Sequence, residues 1–285
     1  MKANLILCVK NGGARLQTCL EHIGRLEGPG DLEVLLVDNS STDGSMAMLQ
    51  AFAERCKFSC KLLQSLIPGN GAGRNRAIEQ ASGDVLLFID ADCYVEPDFA
   101  RAWLGVFAAQ DIGFASGRIM RFNPAHSMLG CNEDRGESRF APRGFVPRGF
   151  IQGSNMAFSR TCLAKAGLFD ERFGAGTSFA GEEWELALRA SFTGFAGGCF
   201  SAPGVAHDHG RMDDVARERL LFYDYGAGAV YAKHILRPAI MKKYFGEMFR
   251  MRNDRQRMRV FLRGVADYWQ PSSPSPTWGE GKGEA

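Results

Sequence analysis

The run Gly83-Asp84-Val85-Leu86-Leu87-Phe88-Ile89-Asp90-Ala91-Asp92 decides the fold. From Val85 to Ile89 the side chains are apolar without interruption, which reads as a strand buried on both faces, the kind found in parallel sheets with helices above and below. Asp90 and Asp92 then stand at the carboxyl end of that strand, the edge along which open α/β sheets bind their ligands. Two carboxylates one residue apart suit a divalent cation. The plain alternative for the pair alone is that it solvates the strand end or precedes the helix that Pro97 opens.

Strands and helices alternate upstream of this run. Leu5 to Val9 reads as a first strand ending at Lys10-Asn11-Gly12-Gly13, and Leu16, Leu20, Ile23 and Leu26 follow at helical spacing. A second strand, Leu32 to Val37, ends at the polar turn Asp38-Asn39-Ser40-Ser41-Thr42-Asp43-Gly44-Ser45 and leads into a helix over Met46 to Arg55. After a short third strand, Phe58 to Leu63, Pro68-Gly69-Asn70-Gly71-Ala72-Gly73-Arg74-Asn75 reads as a glycine-rich loop opening a helix. Its glycines do not match the dinucleotide fingerprint and follow the third strand rather than the first, which excludes a Rossmann dehydrogenase. Backbone approach to a ligand, with Arg74 on a phosphate or base, and a merely flexible connection both remain open for this stretch.

Downstream, Pro97 to Gln110 reads as a helix and Ile112 to Ile119 as a strand. Residues 121–150 lack a clean period, carry three prolines, and read as an irregular segment over the site. Phe150 to Phe158 is a further expected strand, and Glu182-Glu183-Trp184-Glu185-Leu186 opens a helix with carboxylates in its first turn. Dipole complementation alone explains acids there. Pro203 to Gly210, after the last expected core strand, offers His207 and His209 as metal ligands, although isolated histidines are more often structural.

Composition narrows the classes. With 285 residues, 45% hydrophobic and 23% charged, and a net charge of +2, the chain is globular and gives no reason to expect nucleic acid as a partner. The amino-terminal apolar run is too short for a signal peptide, and no run approaches a membrane span. The 8 cysteines form no Cys-x-x-Cys pair, so free thiols in a reducing cytoplasm are expected. Helical patterns over Val215–Tyr225, Tyr231–Leu236, Ile240–Phe249 and Val260–Trp269 follow. Between Arg237 and Arg263 there are nine Lys or Arg against two acids, 9 − 2 = +7, a face for anionic lipid or an acidic substrate, or simply a solvated one. Pro271 to Ala285 reads as disordered.

Taken in order, Val37 to Ser45, Gly73-Arg74-Asn75-Arg76-Ala77, Asp90-Ala91-Asp92, Gly153-Ser154-Asn155-Met156-Ala157, Gly181-Glu182-Glu183 and His209 resemble family 2 glycosyltransferases, inverting enzymes that use nucleotide sugars. The resemblance implies an α/β GT-A fold, a mostly parallel central sheet flanked by helices. It would occupy about 1–210, with a nucleotide half to about 119 and an acceptor half to 210, then a helical extension over 211–270. It implies a base and ribose site from Val9, Asn11, Asp38, Ser40 and Gly73, continued by Arg74, Asp90 and Ala91. Mn²⁺ or Mg²⁺ would sit on Asp92 with Asp90 beside it, His209 being the preferred third ligand over His207. Gly153, Ser154, Asn155 and Trp184 would meet donor sugar or acceptor.

Glu183 matches the catalytic base, with Glu182 as competitor, because the family most often has Asp there. A UDP-sugar is the favoured donor, and a glycan or lipid-linked acceptor in cell-envelope synthesis the favoured acceptor. The expected location is cytoplasmic, with peripheral membrane contact through the basic helices as a further reading. A catalytically inactive nucleotide- or glycan-binding module and a sugar-nucleotide pyrophosphorylase are the competing functions. The latter needs a phosphate loop after the first strand, for which Asn11-Gly12-Gly13 is too short.

Overall fold

The computed structural model describes residues 1–28, 31–133 and 136–270, of which 214–216 only in their backbone. The tail expected to be disordered, 271–285, lies outside the described residues. The amino-terminal half runs β1 (Ala3–Val9), α1 (Gly13–Gly24), β2 (Glu33–Asp38), α2 (Ser45–Arg55), β3 (Ser59–Gln64), α3 (Asn70–Gln80), β4 (Val85–Ile89), β5 (Cys93–Val95), α4 (Phe99–Ala109) and β6 (Phe114–Arg121). It continues with β7 (Ser138–Phe140), β8 (Asn155–Ser159), α5 (Arg160–Ala166), α6 (Glu182–Phe192), β9 (Gly197–His207), α7 (Asp213–His234), α8 (Pro238–Arg250) and α9 (Arg255–Trp269).

The strands form one sheet in the order β3-β2-β1-β4-β8-β6-β9-β5, with β7 on β9. As the apolar run predicts, β4 is buried along its whole length and sits inside the sheet between β1 and β8. Its side chains alternate between two cores: Leu86 and Phe88 face one, and Val85, Leu87 and Ile89 the other. α1, α2 and α4 cover the second core through Leu16, Ile23, Leu49, Phe99 and Trp103. α3, α5, α6 and the carboxyl-terminal helices cover the first. The strands β3, β2, β1 and β4 are all parallel, but β8 runs antiparallel to both its neighbours and β5 antiparallel to β9, so the sheet is mixed beyond β4.

Several boundaries differ from the sequence reading. The glycine-rich stretch is helix from Asn70 on rather than loop. Gly73 lies where α3 crosses β1, and a Cβ there would collide with the Cys8 sulfur, so the glycine serves close packing rather than flexibility. The strand expected from Phe150 begins only at Asn155. β9 extends through Pro203 to His207, so that histidine belongs to the sheet. The two helices expected over Val215–Leu236 are the single α7. All eight cysteines are free thiols, and no described helix is long and apolar enough to cross a membrane.

Two glycines let α7 and α9 cross at backbone contact. A Cβ on Gly228 would strike the Phe261 carbonyl, and one on Gly264 the Tyr225 carbonyl. Polar groups lock the same layer to the sheet domain: fully buried Glu185 of α6 takes Lys233 Nζ at 2.7 Å and His234 Nε2 at 3.0 Å from α7. Fully buried Asp224 receives Arg148 at 2.9 Å and Arg257 at 2.5 Å. Overpacking a backbone-to-backbone crossing forces helices apart, which costs about 1–3 kcal/mol or more. Gly264→Ala is therefore expected to lower the thermal midpoint by several degrees, on the order of 4 °C, whereas Ala266→Gly, on the exposed face of α9, lowers it less; equal shifts for the two would contradict this crossing.

Candidate active site

The carboxyl ends of the parallel strands share one register: Val9 of β1 lies beside Asp38 of β2, and Asp38 beside Gln64 of β3. The turns that follow are laced together. Asn11, in the left-handed region at φ 53°, accepts the Thr42 amide at 2.7 Å, and its own amide donates to Ser41 Oγ at 3.0 Å. Asp38 is buried at the strand end and accepts the Ser41 amide at 3.3 Å, while Ser40 Oγ donates to the Ser65 carbonyl. Asn39 carries more of this edge than the sequence suggests. It accepts the Gly69 amide at 3.0 Å and donates to the Ile67 carbonyl at 2.7 Å, fixing the approach to α3. Its side chain was legible only as one polar residue of a turn, because its partners lie 28 and 30 residues away.

Arg74 sits in the second turn of α3 and is 1% exposed. Its guanidinium donates to Asp90 Oδ1 at 2.8 Å, to Glu182 Oε1 at 2.8 Å and to the Gly153 carbonyl at 3.2 Å, above the Phe169 ring at 5.6 Å. Arg74, expected from sequence to touch a base or phosphate, has its planar fork engaged by two carboxylates inside the protein. Asn75, next in the helix, pins the Phe169 segment through Oδ1 to the Phe169 amide at 2.8 Å and Nδ2 to the Phe169 carbonyl at 3.0 Å. Asp90 also accepts from Asn70 Nδ2 at 3.3 Å. Asp90, Gly153 and Glu182 therefore converge on one side chain.

Asp92 lies within the turn closed by the Cys93 amide on the Asp90 carbonyl at 3.1 Å, with Ala91 between the aspartates. β5 pairs with β9 so that Cys93 opposes His207, which sets His207 Nε2 3.4 Å from Asp92 Oδ1. Burial pushes the His207 imidazole down, but the Asp92 charge and hydrogen bond outweigh it and raise it to about 10. Burial works against the Asp92 carboxylate in the same way, and His207 nevertheless holds it down at about 2. Asp92, Cys93 and His207 form the cluster with metal-ligand spacing among the described residues. The buried Cys93 thiol is pushed well above its usual range by desolvation and by Asp92, leaving Asp92 and, once it gives up its proton, His207 as the donors.

His209, the preferred ligand from sequence, stands outside the Asp92–Cys93–His207 cluster. Nε2 meets the Ser127 carbonyl at 2.9 Å and Nδ1 accepts the Arg211 amide at 3.0 Å, so both ring nitrogens are used by backbone. Burial and the neighbouring His207 charge lower it to about 4, which keeps the ring neutral. Two sugar-site expectations are corrected as well. Asn155 is fully buried, accepts from Trp103 Nε1 at 3.2 Å and donates to the Arg118 and Pro203 carbonyls at 3.0 and 2.9 Å. Those carbonyls flank the register shift between β6 and β9, and a buried orphan carbonyl needs a donor. Trp184 is a core side chain whose indole donates to the Val146 carbonyl at 2.7 Å. Gly153 lies beside Arg74, its carbonyl accepting from the guanidinium, and Ser154 next to it is buried.

The glutamates open α6 after Gly181, which holds φ 101°. Glu182 points to Arg74 and is buried, whereas Glu183 is mostly buried but keeps some access to solvent. Desolvation, reinforced by the adjacent Glu182 carboxylate, raises Glu183 well above the usual carboxylate range, with Arg74 pulling the other way.

The family description "Glycosyl transferase family 2" matches residues 5–164, more than half of the chain. The protein belongs to this family. As a family 2 glycosyltransferase it is similar to the poly(ribitol-phosphate) beta-glucosyltransferase of Bacillus spizizenii, 26% identical over 125 residues, 43% of this chain and 20% of that one. The matches span 20% to 38% of the length of that relative and of the glycosyltransferase AglE of Haloferax volcanii. The fold is that of the mannosyltransferase PcManGT from Pyrobaculum calidifontis, solved with GDP-Man and Mn²⁺: TM-score 0.64 at 18% identity, over 95% of this chain and 76% of that one. S. aureus TarS with UDP-GlcNAc gives 0.60 at 16% identity, over 95% and 81%. These neighbours share the GT-A architecture.

Breaking a buried ion pair strands the remaining charge and costs about 3–5 kcal/mol. Arg74→Met is expected to lose about that much in denaturant unfolding, and Arg74→Lys to recover only part, since one ammonium replaces a fork that serves two carboxylates. Adding Glu182→Gln to Arg74→Met should give less than the sum of the two single losses; strict additivity would mean that the pair does not interact.

Proposed function

We propose that this family 2 glycosyltransferase moves a sugar, with inversion, from a nucleotide-diphosphate sugar to an acceptor hydroxyl on a cell-envelope glycan or lipid-linked sugar. The observation that supports this reading is the convergence of Asp90 and Glu182 on Arg74, one side chain between the aspartate turn and the first turn of α6. The sugar-nucleotide partners named for PcManGT and TarS support a donor of that class. The nucleoside would lie along the edge formed by Val9, Asn11, Asp38 and Ser40, where Asp38 offers an acceptor to a base N–H.

The donor set suits a divalent cation. A partly exposed carboxylate and an imidazole within 3.4 Å of each other supply two protein ligands, leaving room for diphosphate oxygens and water, the coordination that Mg²⁺ and Mn²⁺ prefer. Asp92 and His207 would hold the ion, which, when bound, would neutralise charge growing on the departing diphosphate. Because His207 carries a proton when paired with Asp92, loading must displace it, and affinity should rise with pH.

Glu183 takes the acceptor proton as its oxygen attacks the anomeric carbon from the face opposite the diphosphate. A base held above the usual carboxylate range is better matched to an alcohol than an ordinary glutamate. It is active only when ionised, so the rate falls as pH drops through its raised value, earlier than for an unperturbed carboxylate.

Calorimetric titration with UDP, GDP and dTDP, each with and without Mn²⁺, tests the donor class. One nucleotide should bind in a metal-dependent way, and His207→Ala and Asp92→Ala should each weaken this about 10- to 100-fold, with a smaller change in His209→Ala. Equal losses from the two histidine variants, or no binding of any nucleotide, would overturn the assignment. With the donor identified, Glu183→Gln should lower transfer about 10²- to 10⁴-fold and abolish the acid limb of the kcat profile at saturating metal and donor, while nucleotide binding persists. Survival of that limb in Glu183→Gln would move the base elsewhere.

A further inference from the structure

The sequence leaves a run with nine basic and two acidic residues between Arg237 and Arg263 that the transfer chemistry does not use. The structure adds what composition cannot show. On α8, Ile240 is buried and Tyr244 and Met248 pack on the core, whereas Met241, Phe245 and Phe249 stand outward, 42%, 59% and 65% exposed. Their i, i+4, i+8 spacing aligns them as one stripe along the helix. Leu236, at the corner before α8, is 91% exposed and lengthens the apolar face. Lys242, Lys243, Arg250 and Arg252 are exposed beside the stripe, and the Arg252 guanidinium lies 4.0 Å from the Phe249 ring centre. The two acids are occupied: Glu247 pairs with Arg250 at 2.8 Å, and Asp254 caps α9 through the Arg257 amide at 3.1 Å.

We infer that α8 docks this enzyme on an anionic lipid surface, its apolar stripe entering the headgroup boundary and its basic flanks meeting lipid phosphates. The pattern is that of an interfacial amphipathic helix, in which aromatic insertion and attraction to negative headgroups add. A second copy does not fit the same face, because self-pairing would bring two strongly basic surfaces together. Docking would also have a consequence for the site. Tyr244 of α8 lies 6.0 Å from Tyr231, and Tyr231 5.5 Å from Trp184, the neighbour of Glu183, so the first turn of α6 stands one aromatic layer behind the lipid-facing helix. The inference does not depend on the donor or base assignments.

Flotation of the full chain with phosphatidylcholine vesicles, with and without phosphatidylglycerol, at low and high salt, tests it. The protein should float with the anionic vesicles, remain unbound with the neutral ones, and lose binding as salt shortens the range of the charge attraction. Phe245→Ser/Phe249→Ser and, separately, Lys242→Glu/Arg252→Glu should each reduce the bound fraction about tenfold or more, with the thermal midpoint unchanged. Absence of flotation, equal binding to both vesicle types, or wild-type binding by both variants would overturn the inference. So would a dimer in sedimentation velocity that the phenylalanine variant dissociates without any vesicle binding, which would make this face a protein interface.

Discussion

One buried cation holds the two working edges of this enzyme together. Arg74 reaches 108 residues along the chain to Glu182 and 16 to Asp90, and both bonds are 2.8 Å. Burying a guanidinium is costly, and the cost is offset only because two carboxylates and a backbone carbonyl satisfy its donors in a fixed plane. The opposing charges of Asp90 and Glu182 hold its proton more firmly than in water, against the desolvation that disfavours it. Arg74 therefore acts as a rigid spacer between the aspartate turn and the first turn of α6. Neither edge can shift without leaving a charge unpaired in low dielectric.

That clamp would be of little use on a loose helix, and the rest of α6 is held from behind. Glu185, one turn on from Glu182, is buried with Arg189, Lys233 and His234 around it, and despite its burial these donors keep its carboxyl down at about 2. α7 thus grips the far side of α6, and the glycine crossing ties α7 to α9. The carboxyl-terminal helices contribute to the same hydrophobic core as the sheet. Their structural task is to fix the orientation of the first turn of α6, and the ionic contacts give it directionality that apolar packing alone lacks.

Local pattern revealed what local physics determines. The buried run of β4, the alternation of strands with helices, and the placement of Asp90, Asp92 and Glu183 at element ends all follow from periodicity and motif order. Partners did not. Arg74 and Asp90 belong to separate motifs, and nothing in either says that the arginine turns inward. Asn155 reads as a polar residue beside a glycine, yet its task is set by a register shift between β6 and β9 that only the assembled sheet contains. His207 and His209 are two residues apart, so composition cannot rank them. The short antiparallel pairing of β5 with β9 decides, by aiming one imidazole at Asp92 and leaving the other to backbone partners.

The same geometry distinguishes the two adjacent glutamates in the proposed reaction. Consecutive helix positions point about 100° apart, so a turn that directs Glu182 to the buried guanidinium turns Glu183 away from it. The bond to Arg74 at 2.8 Å occupies Glu182. Desolvation at the start of α6 makes ionisation of Glu183 harder, and the neighbouring Glu182 charge adds to that. The two glutamates thus part in role: the first is engaged by Arg74, and the second is a stronger base because it is desolvated beside another carboxylate. An aspartate at position 183 would have a shorter reach from the same backbone, so the extra methylene sets how far from the helix the acceptor hydroxyl must lie.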